Sequence, residues 1–265
     1  MISPIPGSVG SWTGALHSLV SAGLRPGAFI DVGCADGHHG LFAWCAGLLH
    51  GGVVVNIDAN PIYEPTLRRI QAAIGGHYRI SAVSDRAGAL EFHRSAHPYW
   101  SSGAGAGDAY WATVNGLRGD ADLVPCATLD ELLADMDLTG ALVLKLDIQG
   151  LEAAVLRGAS VTLSRTAVVI CEMQLAEFND LHSALSQGGF DLFDVTNINR
   201  TEGQTLGWFD GVYVNRACGI KVAPEVWSPA RNADVVRMQD ERRRGILAAV
   251  EGLLAQVRQQ SPSGG

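Results

Sequence analysis

Lysine is almost missing from this sequence: Lys145 and Lys221 are the only two among 19 basic residues. Against them stand 27 acidic residues, for a formal net charge of −8 at pH 7. An acidic chain has no long-range attraction for a phosphate backbone, so nucleic acid is not the expected partner and a small molecule fits better. Long hydrophobic runs are lacking as well. No apolar stretch approaches the roughly 18 residues of a membrane span, and the opening MISPIPGSVG has neither the basic start nor the apolar stretch of a signal peptide. The expectation is a cytoplasmic protein with no membrane partner. Cysteine is sparse and scattered: Cys34, Cys45, Cys126, Cys171 and Cys218 are odd in number and form no C-x-x-C pair, so they read as reduced core or loop thiols. Charged residues reach only 17% against 47% hydrophobic, too few for a disordered chain and enough apolar material for a full core.

What is present is an alternation. SWTGALHSLVSAGL places Trp12, Leu16, Leu19 and Val20 at helical spacing, which predicts an N-terminal helix within residues 1–26. From Gly27 onward AFIDVG, LFAWCAGLL, VVVNID, PTLRRIQAAI and RISAVS read as strand, helix, strand, helix, strand. Residues 95–120 interrupt the rhythm with small residues and four aromatics, Tyr99, Trp100, Tyr110 and Trp111. A loop of that length in a compact domain is a candidate substrate lid, with Tyr99 and Trp100 as acceptor contacts. The alternation resumes with TLDELLADM, ALVLKLD, GLEAAVLRGA, AVVICEM, LAEFNDLHSALSQGG, FDLFDV and DGVYVN. Strands and helices in turn predict a mostly parallel sheet covered on both faces, spanning residues 27–217. Residues 218–265 read as a helical tail whose Ile246, Leu247, Val250, Leu253, Leu254 and Val257 form one apolar stripe, able to close the monomer or to pair two copies in a homodimer. Within it ERRR (241–244) reads as a solvated helix face.

Chemistry gathers at the strand ends. FIDVGCADGHHG runs from a strand tip into a helix, with Gly33, Gly37 and Gly40 in the turn. Glycines there let the backbone approach a ligand near a helix N-terminus. The three residues between Gly33 and Gly37 break the G-x-G-x-x-G spacing that seats a pyrophosphate, which argues against NAD. Asp31 stands where a diphosphate is repelled and a ligand's ammonium group is welcome. Asp58, at the tip of the next strand, can accept hydrogen bonds from two ribose hydroxyls. Val83, Ser84 and Asp85 at the third tip are placed for an adenine. Together these suit S-adenosyl-L-methionine, with Asp31, Gly33, Cys34, Asp36, Gly37, Asp58, Ala59, Ser84 and Asp85 as its candidate contacts.

The strand ALVLKLD carries Lys145 and Asp147 on one side, by its period of two. Neither is affordable unpaired in an apolar strand, so they should pair with each other, with loop residues or with substrate. Glu172, ending AVVICEM, should lie near Asp147 and is a candidate substrate contact. Asp147 is the first candidate for the base that takes an acceptor's proton, with Lys145 and His39 as the other catalytic candidates. Were a divalent cation such as Mg²⁺ used instead, Asp147 and Glu172 are the ligands on offer, short of a full oxygen cage.

These residues carry a resemblance. LVLKLDIQGLEAAVLRGA, preceded by FIDVGCADGHHG, AVSDRAGALEFH and ATLDELL and followed by VVICEM and DGVYV, resembles the FkbM family of S-adenosylmethionine-dependent methyltransferases over about residues 28–215. The resemblance implies a class I methyltransferase fold, Rossmann-like α/β with seven strands. It also implies methyl transfer to a hydroxyl of a sugar or secondary metabolite, as in natural product biosynthesis. N-methylation of a small molecule, or a cofactor-binding partner subunit without turnover, are the alternatives. Two departures stand out: Ala35-Asp36 and His38-His39 in the glycine loop, and Gln149 where the family usually has Glu.

Overall fold

The computed structural model of the chain describes residues 10–95, 117–200 and 205–220, and in the tail residues 237, 240–245 and 248. It divides into two compact units, Met1–Ile220 and Lys221–Gly265. In the second unit residues 241–244 are helical and exposed, as the charge run implied. The apolar stripe from Ile246 to Val257 lies outside the described residues.

The first unit is built on seven strands: β1 (Pro26–Val32), β2 (Val53–Asp58), β3 (His77–Ile80), β7 (Ala141–Leu146), β8 (Thr166–Gln174), β9 (Phe190–Arg200) and β10 (Leu206–Asn215). Their order is β3-β2-β1-β7-β8-β10-β9, and only β10 runs antiparallel to its neighbours. Helices cover both faces, so this is the class I methyltransferase fold, Rossmann-like with a mostly parallel sheet. The chain winds outward from β1 through β2 to β3 and then returns to pair β7 with the other side of β1. Strand order therefore reverses between β1 and β7, and the crevice outside their C-terminal ends is where such sheets bind ligands.

Burial on both faces explains the near-continuous apolar strands. Ile30, Val32, Leu144, Leu146, Cys171 and Met173 pack on one face beneath α4 (Leu129–Leu133), α5 (Glu152–Arg157) and α7 (Phe178–Gln187). Phe29, Val143, Val168, Ile170 and Val212 pack on the other, against Trp12, Leu16 and Leu19 of α1 (Trp12–Ser21) and Ala43 of α2 (His38–Cys45). The N-terminal helix is thus part of the same compact unit as the sheet. The remaining helices are α3 (Glu64–Ile74) and α6 (Ser160–Arg165). Among the described residues no helix is long and apolar enough to cross a membrane.

Three expectations change. RISAVS is two strands in different sheets: β3 ends at Ile80, Ser81 donates its N–H to the Asp58 carbonyl as a last rung, and β4 (Ala82–Val83) pairs instead with β6 (Leu117–Ala127). Together β4, β6 and β5 (Gly88–Ser95) form a small second sheet, order β4-β6-β5. The expected loop at 95–120 therefore ends early, since residues 117–120 belong to β6; the aromatic segment with Tyr99, Trp100, Tyr110 and Trp111 lies outside the described residues. The last two strands are also longer than the sequence implied, because Asn197–Arg200 and Leu206–Phe209 continue the β9–β10 pairing.

Leu16 is fully buried between α1 and the sheet. Leu16→Ala should lower the unfolding free energy by about 2–5 kcal/mol in urea titration, the usual range for a buried Leu truncation. A loss below ~1 kcal/mol would mean that α1 is a detachable arm.

Candidate active site

A cleft opens at the β1/β7 crossover. On one side it is lined by Gly33, Ala35, Asp58, Ala59 and Asn60, on the other by Asp147, Ile148 and Gln149. Leu90 and Phe92 of β5 close the far wall with Ala82 and Val83. Its mixed apolar and polar lining is that of a small-molecule site.

The glycine loop earns its residues by close approach. Gly33 sits at φ 79°, and a Cβ there would stand 1.8 Å from the Asp147 carbonyl oxygen, so β1 and β7 can meet only with glycine at this point. Gly37, at φ 77°, precedes α2 in the left-handed region, with Leu67 and Ile70 where a side chain would go. Asp58 fixes the loop from β2. One carboxylate oxygen accepts the Ala35 N–H at 2.8 Å and the other the Asn60 N–H at 2.7 Å. Four lone-pair sites on a carboxylate leave room for two more donors. Burial pushes the Asp58 carboxyl up to about 6, against the pull of those two amides.

On the other side, Glu172 of β8 and Asp210 of β10 are register partners, as are Asp31 of β1 and Lys145 of β7. Alternation with Phe29, Val143, Ile170 and Val212 puts all four on the sheet face covered by α1 and α2. The Lys145 ammonium, 1% exposed, donates to Asp147 Oδ2 at 2.9 Å. Burial opposes its charge, yet Asp147, Asp31 and Asp210 outweigh burial and raise the Lys145 pKa. Burial likewise works to raise the Asp147 carboxyl, but Lys145 overrides it and holds Asp147 below the usual range. A carboxylate so held is a weak proton acceptor and a strong hydrogen-bond acceptor. Burial and the neighbouring Asp147 and Glu152 push Glu172 well up, and burial does the same to Asp210.

Gln149 ties this side together. Its amide nitrogen donates to Asp147 Oδ1 at 3.0 Å and to Glu172 Oε2 at 2.6 Å. The residue sits at φ 58°, a strained conformation of the kind that clusters at functional sites. Glu152 supports the turn, accepting the Ile148 and Gly150 N–H groups, each at 2.9 Å; burial raises its carboxyl to about 7.

Of the sequence-predicted contacts, Gly33, Asp58, Ala59, Val83 and Asp147 line the cleft. The others expected at the cofactor do not. Cys34 is buried, Asp36 pairs with His38 at 2.6 Å, and Gly37 packs against α3. Ser84 hydrogen-bonds through its N–H to Ala127, and Asp85 pairs with Arg157 at 3.1 Å, because β4 has left the main sheet. Asp31 is fully buried and faces His39 rather than the cleft. Lys145, Asp147 and Glu172 come together as expected. Among the described residues no group of three or more His, Cys, Asp or Glu side chains could hold a metal ion, so the Mg²⁺ expectation finds no support in the donor set. Sequence reasoning missed Asn60, Leu90 and Phe92, of which only the alternation of Leu90 and Phe92 in ALEFH carried a signal; Asp210, with Trp208 and Phe209, reads from the sequence as a wall opposite the aromatic loop, and the structure places it beside Glu172.

Comparison with protein families matches the methyltransferase FkbM domain to residues 31–192. A comparison with curated proteins gives no match. Solved structures similar to this chain include an FkbM methyltransferase from Methylobacillus flagellatus KT, at 16% identity and TM-score 0.45, covering 73% of this chain and 45% of that one. The chain thus spans about half the length of that relative. Another is a putative tRNA methyltransferase from Streptococcus pneumoniae in complex with S-adenosyl-L-methionine, at 13% identity and TM-score 0.44, covering 88% and 89% of the two chains.

Lys145→Met should destabilise the protein by about 3–5 kcal/mol at neutral pH, because it strands buried carboxylates. The loss should shrink as the pH falls toward ~4, where those carboxyls take up protons. Urea titrations at the two pH values decide it; a loss that does not change with pH would mean the lysine acts through packing alone.

Proposed function

The chain belongs to the FkbM methyltransferase family, and from that premise we propose that it transfers a methyl group from S-adenosyl-L-methionine to a hydroxyl of a sugar or secondary-metabolite small molecule. The observation that carries the cofactor reading is Asp58. It ends β2 at the cleft, both its oxygens are fixed by backbone amides, and each keeps a lone pair for a ribose hydroxyl. Apolar Ala59, Ala82, Leu90 and Phe92 beside it suit a flat purine. The close-packed turn at Gly33 suits the amino-acid end, which carries no phosphate.

When bound, S-adenosyl-L-methionine supplies an electrophilic methyl group on a sulfonium. The protein's part in an in-line displacement is to align the acceptor oxygen and take its proton. Asp147, ionised by Lys145 and oriented by Gln149, suits the first task by accepting the acceptor's hydroxyl hydrogen bond. The surplus of carboxylates around it favours a neutral, hydroxyl-bearing acceptor over an anionic one. The net charge of −8 supports the same choice against nucleic acid.

Calorimetric titration with S-adenosylhomocysteine tests this reading. The wild type should bind in the micromolar range, and Asp58→Ala should weaken binding by about 100-fold, the worth of two hydrogen bonds to a charged group. Because the ionised carboxylate is the form that accepts both hydroxyls, wild-type affinity should also fall as the pH drops below about 6. Asp58→Asn should bind weakly with no such pH dependence. Absence of any binding heat or thermal shift in the wild type would remove the methyltransferase reading.

A further inference from the structure

Asp31 is completely buried, and among the described residues neither of its oxygens has a hydrogen-bond partner. A buried carboxylate without partners costs several kcal/mol, so the fold has to use it. The nitrogen that faces it is His39 Nδ1, 3.7 Å from Asp31 Oδ2 and itself without a hydrogen-bond partner. The imidazole is held by aromatic contacts: Trp12 of α1 meets it edge-on at 5.8 Å, and His38 lies 3.9 Å away. Unlike Asp31, the His39 side chain keeps 22% of its surface exposed. Once protonated it is near enough to depress the carboxyls of both Asp147 and Asp210. One edge of the ring is therefore turned to Asp31, and the ring lies within electrostatic reach of Asp147, which lines the cleft.

We propose that Asp31 is a positioning residue for His39, and that His39 is the base that takes the proton from the methyl acceptor. A neutral imidazole has one N–H and one lone pair, and the hydrogen bond at one nitrogen decides which carries which. Asp31 selects the Nδ1–H form and leaves the Nε2 lone pair free. As the acceptor oxygen bonds to the methyl carbon, the carbon–sulfur bond breaks and sulfur keeps its electron pair. The hydroxyl proton passes to His39 Nε2, and the imidazolium is balanced by Asp31. At 3.7 Å the pair is looser than a hydrogen bond, which is ordinary for catalytic pairs before substrate tightens them. The charged groups around the imidazole are Asp31 on β1, Asp147 at the end of β7 and Asp210 on β10, with the adjoining His38 ring paired to Asp36 at the start of α2. Lys145 already neutralises Asp147, which leaves Asp31 as the carboxylate for the ring. The purpose of the pair rests on the methyl-transfer reading; its geometry does not.

The test is histidine ring NMR on ¹⁵N-histidine-labelled protein at about pH 8, above the ordinary imidazole range, with His39→Gln to assign the signal. The inference expects His39 as the Nδ1–H tautomer in the wild type, and loss of that preference in Asp31→Asn. An Nε2–H tautomer in the wild type overturns it, whether or not the variant folds. Calorimetry with S-adenosylhomocysteine separates the rival role for Asp31. Affinity of Asp31→Asn within about threefold of wild type supports the pair, whereas a loss of tenfold or more assigns Asp31 to the cofactor and overturns it. If the wild type fails to bind S-adenosylhomocysteine, the methyl-transfer reading falls, and the tautomer alone still decides whether Asp31 positions His39.

Discussion

A single buried ammonium organises the chemistry of this fold. Lys145 lies in the central strand of the sheet, where an unpaired charge is untenable, and the surrounding strands supply acids in answer: Asp147 from its own end, Asp31 from β1 and Asp210 from β10. None of these carboxylates would be tolerated there without the lysine, and the lysine would not be tolerated without them. The result is a polar row across one face of an otherwise apolar sheet, fixed in place by strand register rather than by mobile loops. A site held by strands keeps its geometry better than one held by loops.

The same constraint divides labour between the two sides of the crossover. Gly33 brings β1 to the end of β7 so closely that no side chain fits, which places the cleft over the crossover. Asp58, Ala59 and the β5 wall lie on one side of that point, and the acids around Lys145 lie on the other. One side offers fixed hydrogen-bond acceptors beside apolar surface, suited to a nucleoside. The other offers ionised and proton-sharing groups, suited to handling a hydroxyl proton. Asp58 and Asp147 line one cleft, so the β1/β7 crossover is the place in this sheet where the two environments meet.

Much of this was legible in the residues. The period of two along ALVLKLD pairs Lys145 with Asp147, and the strand-tip position of Asp58 puts it at the cleft. The position of Asp31 at a strand tip says how high it sits, not which face it takes. Its alternation with Ile30 and Val32 held the answer, since those two pack beneath α4, α5 and α7 and Asp31 must then face α1 and α2. The break in RISAVS left no local signal: Ser81 joins two acceptable strand fragments, and only the pairing of Ala82 and Val83 with Cys126 and Ala127 decides the departure. Ser84 and Asp85 went with it. The place of Asp210 beside Glu172 is hidden for a similar reason, because it depends on an antiparallel pairing of β10 with β8.

Gln149 shows how a departure from the family pattern can be read physically. Three carboxyl groups at one point, Asp147, Glu172 and a glutamate at 149, would crowd charge where one ammonium is available, and like charges that close force protons onto some of them. An amide at the same point donates to both neighbours instead, so Asp147 and Glu172 are held together by hydrogen bonds rather than pushed apart. The left-handed backbone at Gln149 aims the side chain inward, and Glu152 holds that turn by accepting the two flanking amides. The change of one oxygen for one nitrogen therefore converts a repulsive triad into a connected network, and spares Lys145 a further carboxylate beside Asp147.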